Sequence, residues 1–152
     1  MSEINNDSGF KAVLESLDEA QQRNIAALFV QHVLHLSTDQ RLERVLRTVA
    51  DADATEEELA AALKLAHAAT FDSHARCGAE GHWSDQAGYF VARAAVAAAT
   101  PMTMARTGGP AWQAAMSARM AYTSMLIENA SDQSAHAECE WQYQSLSDYK
   151  KA

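Results

Sequence analysis

The sequence predicts an all-α fold, a single compact domain over residues 1–152 with five to six helices. Alanine, the strongest helix former, occurs 32 times, whereas glycine and proline, which interrupt helices, occur 6 and 2 times. Capping-box spacings recur through the first 60 residues, and apolar residues follow each at helical intervals. No segment shows the alternation expected of a strand. We therefore expect a bundle or a short array of helical pairs.

The first half of the chain contains three predicted helix starts. The spacings Ser16–Glu19, Ser37–Gln40 and Thr55–Glu58 each place a hydroxyl three residues before a carboxylate or amide, as in a capping box. An apolar helical stripe follows each spacing, and the third helix is predicted to run to about Arg76. Residues 1–15 precede these signals and are expected to be poorly ordered or to form a short leading helix.

Glycine and proline divide the second half of the chain. The glycine-flanked break at 78–81 precedes a fourth helix that runs toward Thr100. Pro101 begins a short helical turn, and Gly108-Gly109-Pro110 begins another helix, because proline is well suited to a first helical position. A last helix is predicted after Asn129-Ala130-Ser131.

Larger side chains must supplement alanine in the core, because alanine buries little area. In the second half most of these anchors are expected among the aromatic residues and methionines Tyr89, Trp112, Met116, Met120, Tyr122, Met125, Trp141 and Tyr143. In the first half, His32 lies on an apolar helical stripe and is predicted to be a hydrogen-bonded core histidine.

Composition restricts the classes of partner. The formal net charge is −8, which argues against binding to nucleic acid or an anionic membrane, because both require clustered Lys and Arg. No apolar stretch is long enough to span a bilayer, and the N-terminus lacks the basic and apolar regions of a signal peptide. With only two cysteines, a disulfide framework is not indicated. These features predict a cytoplasmic protein.

The acidic residues are concentrated at one predicted helix junction. Asp51, Asp53, Glu56, Glu57 and Glu58 lie within eight residues. Carboxylates in a first helical turn complement the helix dipole, each contributing roughly 0.3–1 kcal/mol. Five carboxylates exceed the need of one helix start, so we predict that they contact a basic protein partner.

Two His-x-x-Cys spacings provide an alternative interpretation. His74 precedes Cys77, and His136 precedes Cys139, each by three residues. This spacing places both members of a pair on one helical face, and two pairs could close a tetrahedral Cys2His2 zinc site. The simpler interpretation is that the cysteines are small core residues, because the pairs lack zinc-finger spacing. A metal-binding or small-molecule-binding protein is therefore the alternative; otherwise no cofactor is expected.

No motif for nucleotide binding or nucleophilic catalysis occurs, so the sequence predicts a protein that is not an enzyme. Alanine-dominated helices, Ala66-His67-Ala68-Ala69 and Glu138-Cys139-Glu140-Trp141-Gln142 resemble the Imm5-like immunity proteins of bacterial polymorphic toxin systems, over residues 28–146. The chain departs from that pattern at Cys139, where a basic residue is expected. The resemblance implies a non-catalytic inhibitor that neutralises a toxin or nuclease by direct contact. A homo-oligomer packed through an exposed alanine face is a further possibility.

Overall fold

The computed structural model describes residues 4–76, 82–129 and 134–151, and these contain seven α-helices, two 3-10 turns and no strand. The helices are α1 (Asp7–Glu15), α2 (Glu19–Val33), α3 (Gln40–Val49), α4 (Glu56–Arg76), α5 (Trp83–Ala99), α6 (Gly109–Glu128) and α7 (His136–Lys151). The 3-10 turns are Leu34–Leu36 and Met102–Met104. The all-α prediction is confirmed, but five to six helices is too few, because the leading segment forms a helix of its own.

The start of α2 differs from the predicted capping box. Asp18, not Ser16, caps the helix: its carboxylate accepts the Gln21 N–H at 2.8 Å, and the Gln21 amide oxygen accepts the Asp18 N–H at 3.1 Å. Ser16 instead ends α1. Aspartate caps a helix at least as well as serine, so the box forms two residues later.

The box predicted at Ser37 is displaced by two residues in the same way, whereas the remaining described starts form where they were predicted. Asp39 caps α3, and the Ser37 hydroxyl accepts the Asp39 N–H at 3.1 Å. The Thr55–Glu58 box forms as predicted, with both bonds at 3.0 Å. At the start of α6, Gly108 and Gly109 have φ of +93° and +88°, a region open to glycine, and Pro110 lies in the first turn. The predicted break at 78–81 and residues 130–131 of the last predicted helix start lie outside the described residues.

The central pair of the bundle is α5 and α6, and alanine allows these helices to lie close together. α4 packs against α5, and α2 packs against α6. The buried alanines of the central pair are Ala87, Ala92, Ala94, Ala95, Ala98, Ala99, Ala111, Ala114, Ala115, Ala118 and Ala121.

The largest core side chains come from the first half of the chain. The fully buried set includes Phe10, Leu14, Ile25, Phe29 and Leu42. Most of the anchors expected in the second half are only partly buried: of those eight residues Tyr143 alone is buried, and Met120 is exposed. The helices rich in alanine therefore form the closely packed centre, and α1 to α3 supply the bulk around it.

Gln22 joins three helices through a buried side chain. Its amide NH2 donates to the Leu14 carbonyl at the end of α1, and its amide oxygen accepts the Ala111 N–H at 3.0 Å at the start of α6. Gln22 is 1% exposed. One side chain thus satisfies backbone groups that helix ends leave without intrahelical partners.

We expect Gln22→Leu to lower the free energy of unfolding by about 2 kcal/mol, because the Ala111 N–H stays buried without an acceptor. Urea denaturation monitored by circular dichroism measures this loss. Gln21→Leu is the matched control: its side chain is exposed and only a capping bond is lost, so a cost below about 1 kcal/mol is expected. Equal losses for the two variants would contradict the linking role of Gln22.

Candidate functional site

Part of the α7 segment that carries the family resemblance faces the bundle, whereas Glu140 of the same segment is exposed. Glu138, Trp141 and Gln142 have the spacing i, i+3, i+4, which places them on one helical face. Glu138 and Gln142 are 1% and 0% exposed, and Trp141 is partly buried. Polar groups so deeply buried require partners inside the protein.

The partner of Glu138 is His32 of α2. His32 Nδ1 lies 2.8 and 3.0 Å from the two carboxylate oxygens of Glu138, and the His32 ring stacks on Trp141 with centroids 3.5 Å apart. The His32 side chain is 38% exposed, whereas that of Glu138 is fully buried. Burial raises the pKa of Glu138 above its ordinary value, and His32, together with the more distant charges of Arg119 and His35, opposes this rise. The prediction that His32 is hydrogen-bonded is confirmed, but the prediction that it lies in the core is wrong: its ring is exposed and stacks on Trp141, and only its partner Glu138 is buried.

The partner of Gln142 is Arg119 of α6. Arg119 Nε donates to the Gln142 amide oxygen at 2.8 Å, and Gln142 Nε2 donates to the Ala115 carbonyl at 3.0 Å. Arg119 Nη1 also lies 3.0 Å from an Asp7 carboxylate oxygen. Sequence reasoning missed Asp7, because it lies in the leading segment.

Asp7 connects the same group to Tyr143. The Tyr143 hydroxyl donates to Asp7 at 2.6 Å, and the Arg119 guanidinium lies 5.4 Å from the ring centroid of Phe10 and 5.7 Å from that of Tyr143. The hydrogen bond from Arg119 is the main reason that the pKa of Asp7 is lowered. Burial, and then the bond to Asp7, raises the pKa of Tyr143 to about 12.

These contacts form a polar network of two groups on α7: the His32–Glu138 pair ties α7 to α2, and the Arg119 group ties α7 to α6 and α1. Its members satisfy one another, apart from Arg119 Nη2, which is buried without a partner among the described residues. The chemistry of the network is therefore suited to positioning helices. The spacing of Glu138, Trp141 and Gln142 was the sequence signal for it, but the partners on other helices have no such signal.

The predicted acidic cluster lies on an exposed junction between α3 and α4. Asp51, Asp53, Glu56, Glu57 and Glu58 are all exposed. Two carboxylates have local roles: Asp51 accepts the Asp53 N–H at 2.9 Å, and Glu58 belongs to the capping box of α4. Among the described residues, no Lys, Arg or His forms an ion pair with any of the five.

The structure does not assemble the described members of the predicted zinc site. His74 contacts Tyr89, with ring centroids 5.5 Å apart, whereas His136 Nε2 lies 3.7 Å from Glu140. Cys139 is partly buried, and burial raises the pKa of its thiol. Cys77 lies outside the described residues. Within the described ranges, no group of three or more His, Cys, Asp or Glu side chains could hold a metal ion.

Comparison of the chain with protein-family models, with curated proteins and with solved structures finds no match. In the described part of the chain, no helix has both the length and the apolar character needed to cross a bilayer.

Proposed function

We propose that this protein is a non-catalytic, cytoplasmic binding protein of the immunity type, which neutralises a basic partner such as a toxin or nuclease by direct contact. The observation that carries the proposal is the acidic cluster Asp51–Glu58. It presents five exposed carboxylates, and none of them forms an ion pair with a cation in the described part of the chain.

Charge pairing elsewhere makes this cluster distinctive. Arg41 pairs with Asp39 and Asp72, at 2.7 and 3.0 Å, and Arg119 pairs with Asp7. The protein thus uses its own arginines to neutralise other carboxylates. The carboxylates of the cluster form no such ion pair among the described residues, so they would steer a basic partner and then accept charge-assisted hydrogen bonds from its Lys or Arg side chains.

The family resemblance supports the same class of function, because immunity proteins act by occupying a surface of a cognate toxin. Toxins that act on nucleic acids need a basic surface. An acidic cluster on a helical bundle is complementary to such a surface, and the net charge of −8 adds long-range attraction.

The test reverses two charges of the cluster that have no hydrogen-bonding role. We expect Glu56→Lys/Glu57→Lys to slow association with the partner about tenfold at low salt, because steering depends on these charges. The partner is first captured from cells of the source organism by cross-linking and then purified. Stopped-flow mixing of the purified proteins at low and high salt measures the rate.

The matched control is Glu15→Lys/Glu128→Lys, which makes the same change in net charge at exposed residues of α1 and α6. Its association rate is expected to stay within about threefold of the original, because these residues lie outside the cluster. Equal slowing in both double variants, or a rate independent of salt, would refute a specific role for the cluster.

A further inference from the structure

A cleft of about 320 Å³ lies between α4, α5 and α6 and has a cationic lining. His67, Arg93 and Arg106 contribute to it, and no Asp or Glu appears among its described lining residues. This is unusual in a chain with 20 acidic and 12 basic residues, because carboxylates are the more abundant charge.

The two arginines of the cleft have no carboxylate partner in the described ranges, unlike Arg41 and Arg119. The Arg93 guanidinium lies over the ring of Tyr89, 5.8 Å from its centroid. A guanidinium held by its face on an aromatic ring keeps its N–H edges available for an anion. An anion shared by Arg93 and Arg106 would also relieve the repulsion between two cations lining one cleft.

A second, more apolar cleft of about 570 Å³ adjoins the first. The two clefts share Leu63, Thr100, Met104 and Pro110. The apolar lining of the second is extended by Leu59, Ala98, Ala99 and Pro101. Met104 is 70% exposed on the 3-10 turn beside both clefts, and a flexible thioether side chain can adapt to an apolar ligand.

We propose that the joined clefts bind an amphipathic carboxylate. Arg93 and Arg106 bind the carboxylate head, and the apolar chain lies along Leu63 and Met104. Each cleft has a volume within or near the range of small-molecule sites. Glu56 of the acidic cluster also lines the second cleft, but Arg93, Arg106, Leu63 and Met104 lie outside the cluster, so the proposal does not depend on the partner-binding function.

The surroundings favour a carboxylate over a phosphate. Phosphate sites commonly use free N–H groups at a helix start. Here Pro110 has no N–H, and the Ala111 N–H is already donated to Gln22. Guanidinium groups bind carboxylate and phosphate alike in a bidentate manner, so the preference comes from the lack of free N–H groups at this helix start. The second cleft is lined by charges of both signs, Glu19, Glu56 and Arg23, whereas the first is lined by cations without a described carboxylate, so the carboxylate head is placed in the first.

The test measures binding of decanoate by isothermal titration calorimetry. We expect saturable binding, weakened at least about tenfold in Arg93→Gln/Arg106→Gln, because charge-assisted hydrogen bonds to the carboxylate are lost. The neutral probe decanamide should bind the original protein at least about tenfold more weakly than decanoate does, because it carries no negative charge. The control Arg44→Gln/Lys150→Gln removes two exposed cations elsewhere and should leave decanoate binding unchanged. Circular dichroism confirms that each variant is folded.

Absence of saturable decanoate binding would overturn the proposal, as would full binding by Arg93→Gln/Arg106→Gln. Inorganic phosphate provides a further arm. If the protein binds inorganic phosphate but does not bind decanoate, the proposal that the ligand is a carboxylate is overturned. Met104→Glu places a negative charge beside the apolar chain, so weaker decanoate binding in this variant is expected, and unchanged binding would overturn the placement of the chain.

Discussion

Phe10→Ala is expected to lower the free energy of unfolding by about 3–5 kcal/mol, the usual cost of removing a large buried aromatic side chain. Phe10 is 0% exposed, and its ring centroid lies 5.8 Å from that of Phe29, 6.1 Å from that of Trp112 and 5.3 Å from that of Tyr143. The truncation would leave a cavity where α1, α2, α6 and α7 meet. Urea denaturation at several wavelengths measures the loss.

Phe71→Ala provides the matched control, because the same atoms are removed from a side chain that is 75% exposed. Its expected cost is below about 0.5 kcal/mol, since little buried area is lost. A small loss for Phe10→Ala, similar to that of the control, would show that the leading segment is not docked on the bundle. The two variants thus distinguish the two expectations for residues 1–15, an ordered helix or a poorly ordered segment.

His32→Phe is expected to cost about 3 kcal/mol near pH 8, because it leaves the buried Glu138 carboxylate without its hydrogen-bonding partner. The substitution keeps an aromatic ring beside Trp141, where the His32 ring now stacks. The loss therefore reports the polar contact more than the packing. Denaturation midpoints of the purified variant and of the original protein measure it.

A second substitution tests whether the cost comes from the stranded carboxylate. In His32→Phe/Glu138→Met the buried charge is absent, so most of the lost stability should return. A double variant that is less stable than His32→Phe would show that Glu138 stabilises the fold through other contacts.

The cost of His32→Phe should also depend on pH. Burial raises the pKa of Glu138 above its ordinary value of 4.5, so the folded state holds this proton more tightly than the unfolded state. Protonation of Glu138 therefore stabilises the folded state. This stabilisation is complete when the pH is below the ordinary pKa of 4.5, and it is lost as the pH rises through the raised pKa of the folded state. Without His32 that pKa rises further, so the penalty should be smaller near about pH 5 than near about pH 8. A penalty that grows on acidification would contradict this assignment.

Local chemistry explains why most helix boundaries could be predicted. The Thr55–Glu58 box involves residues three apart, and Pro110 acts through its own ring, so neither depends on the rest of the fold. The boxes predicted at Ser16 and Ser37 were wrong because Asp18 and Asp39, each two residues later, cap these helices instead. Short-range competition of this kind shifts a boundary without changing the helix.

The core was harder to predict, because burial depends on which helices meet. Phe10 looks like an isolated apolar residue near the N-terminus, yet it contacts aromatic residues of α2, α6 and α7. Met120 looks like a core anchor on an alanine-rich helix, yet it is 49% exposed. Helical spacing identifies an apolar face, whereas the packing of neighbouring helices decides whether that face is covered.

The sequence by itself determined the all-α state, most helix ends and the position of the acidic cluster, because these depend on residues within one or two helical turns. Only the tertiary structure decided that Glu138 pairs with His32, 106 residues away, and that Asp7 pairs with Arg119. It also brought Arg93 and Arg106 to one cleft and left His74, His136 and Cys139 without a shared metal site among the described residues. The physical reason is that such pairings join different helices, and their geometry follows from how the helices pack.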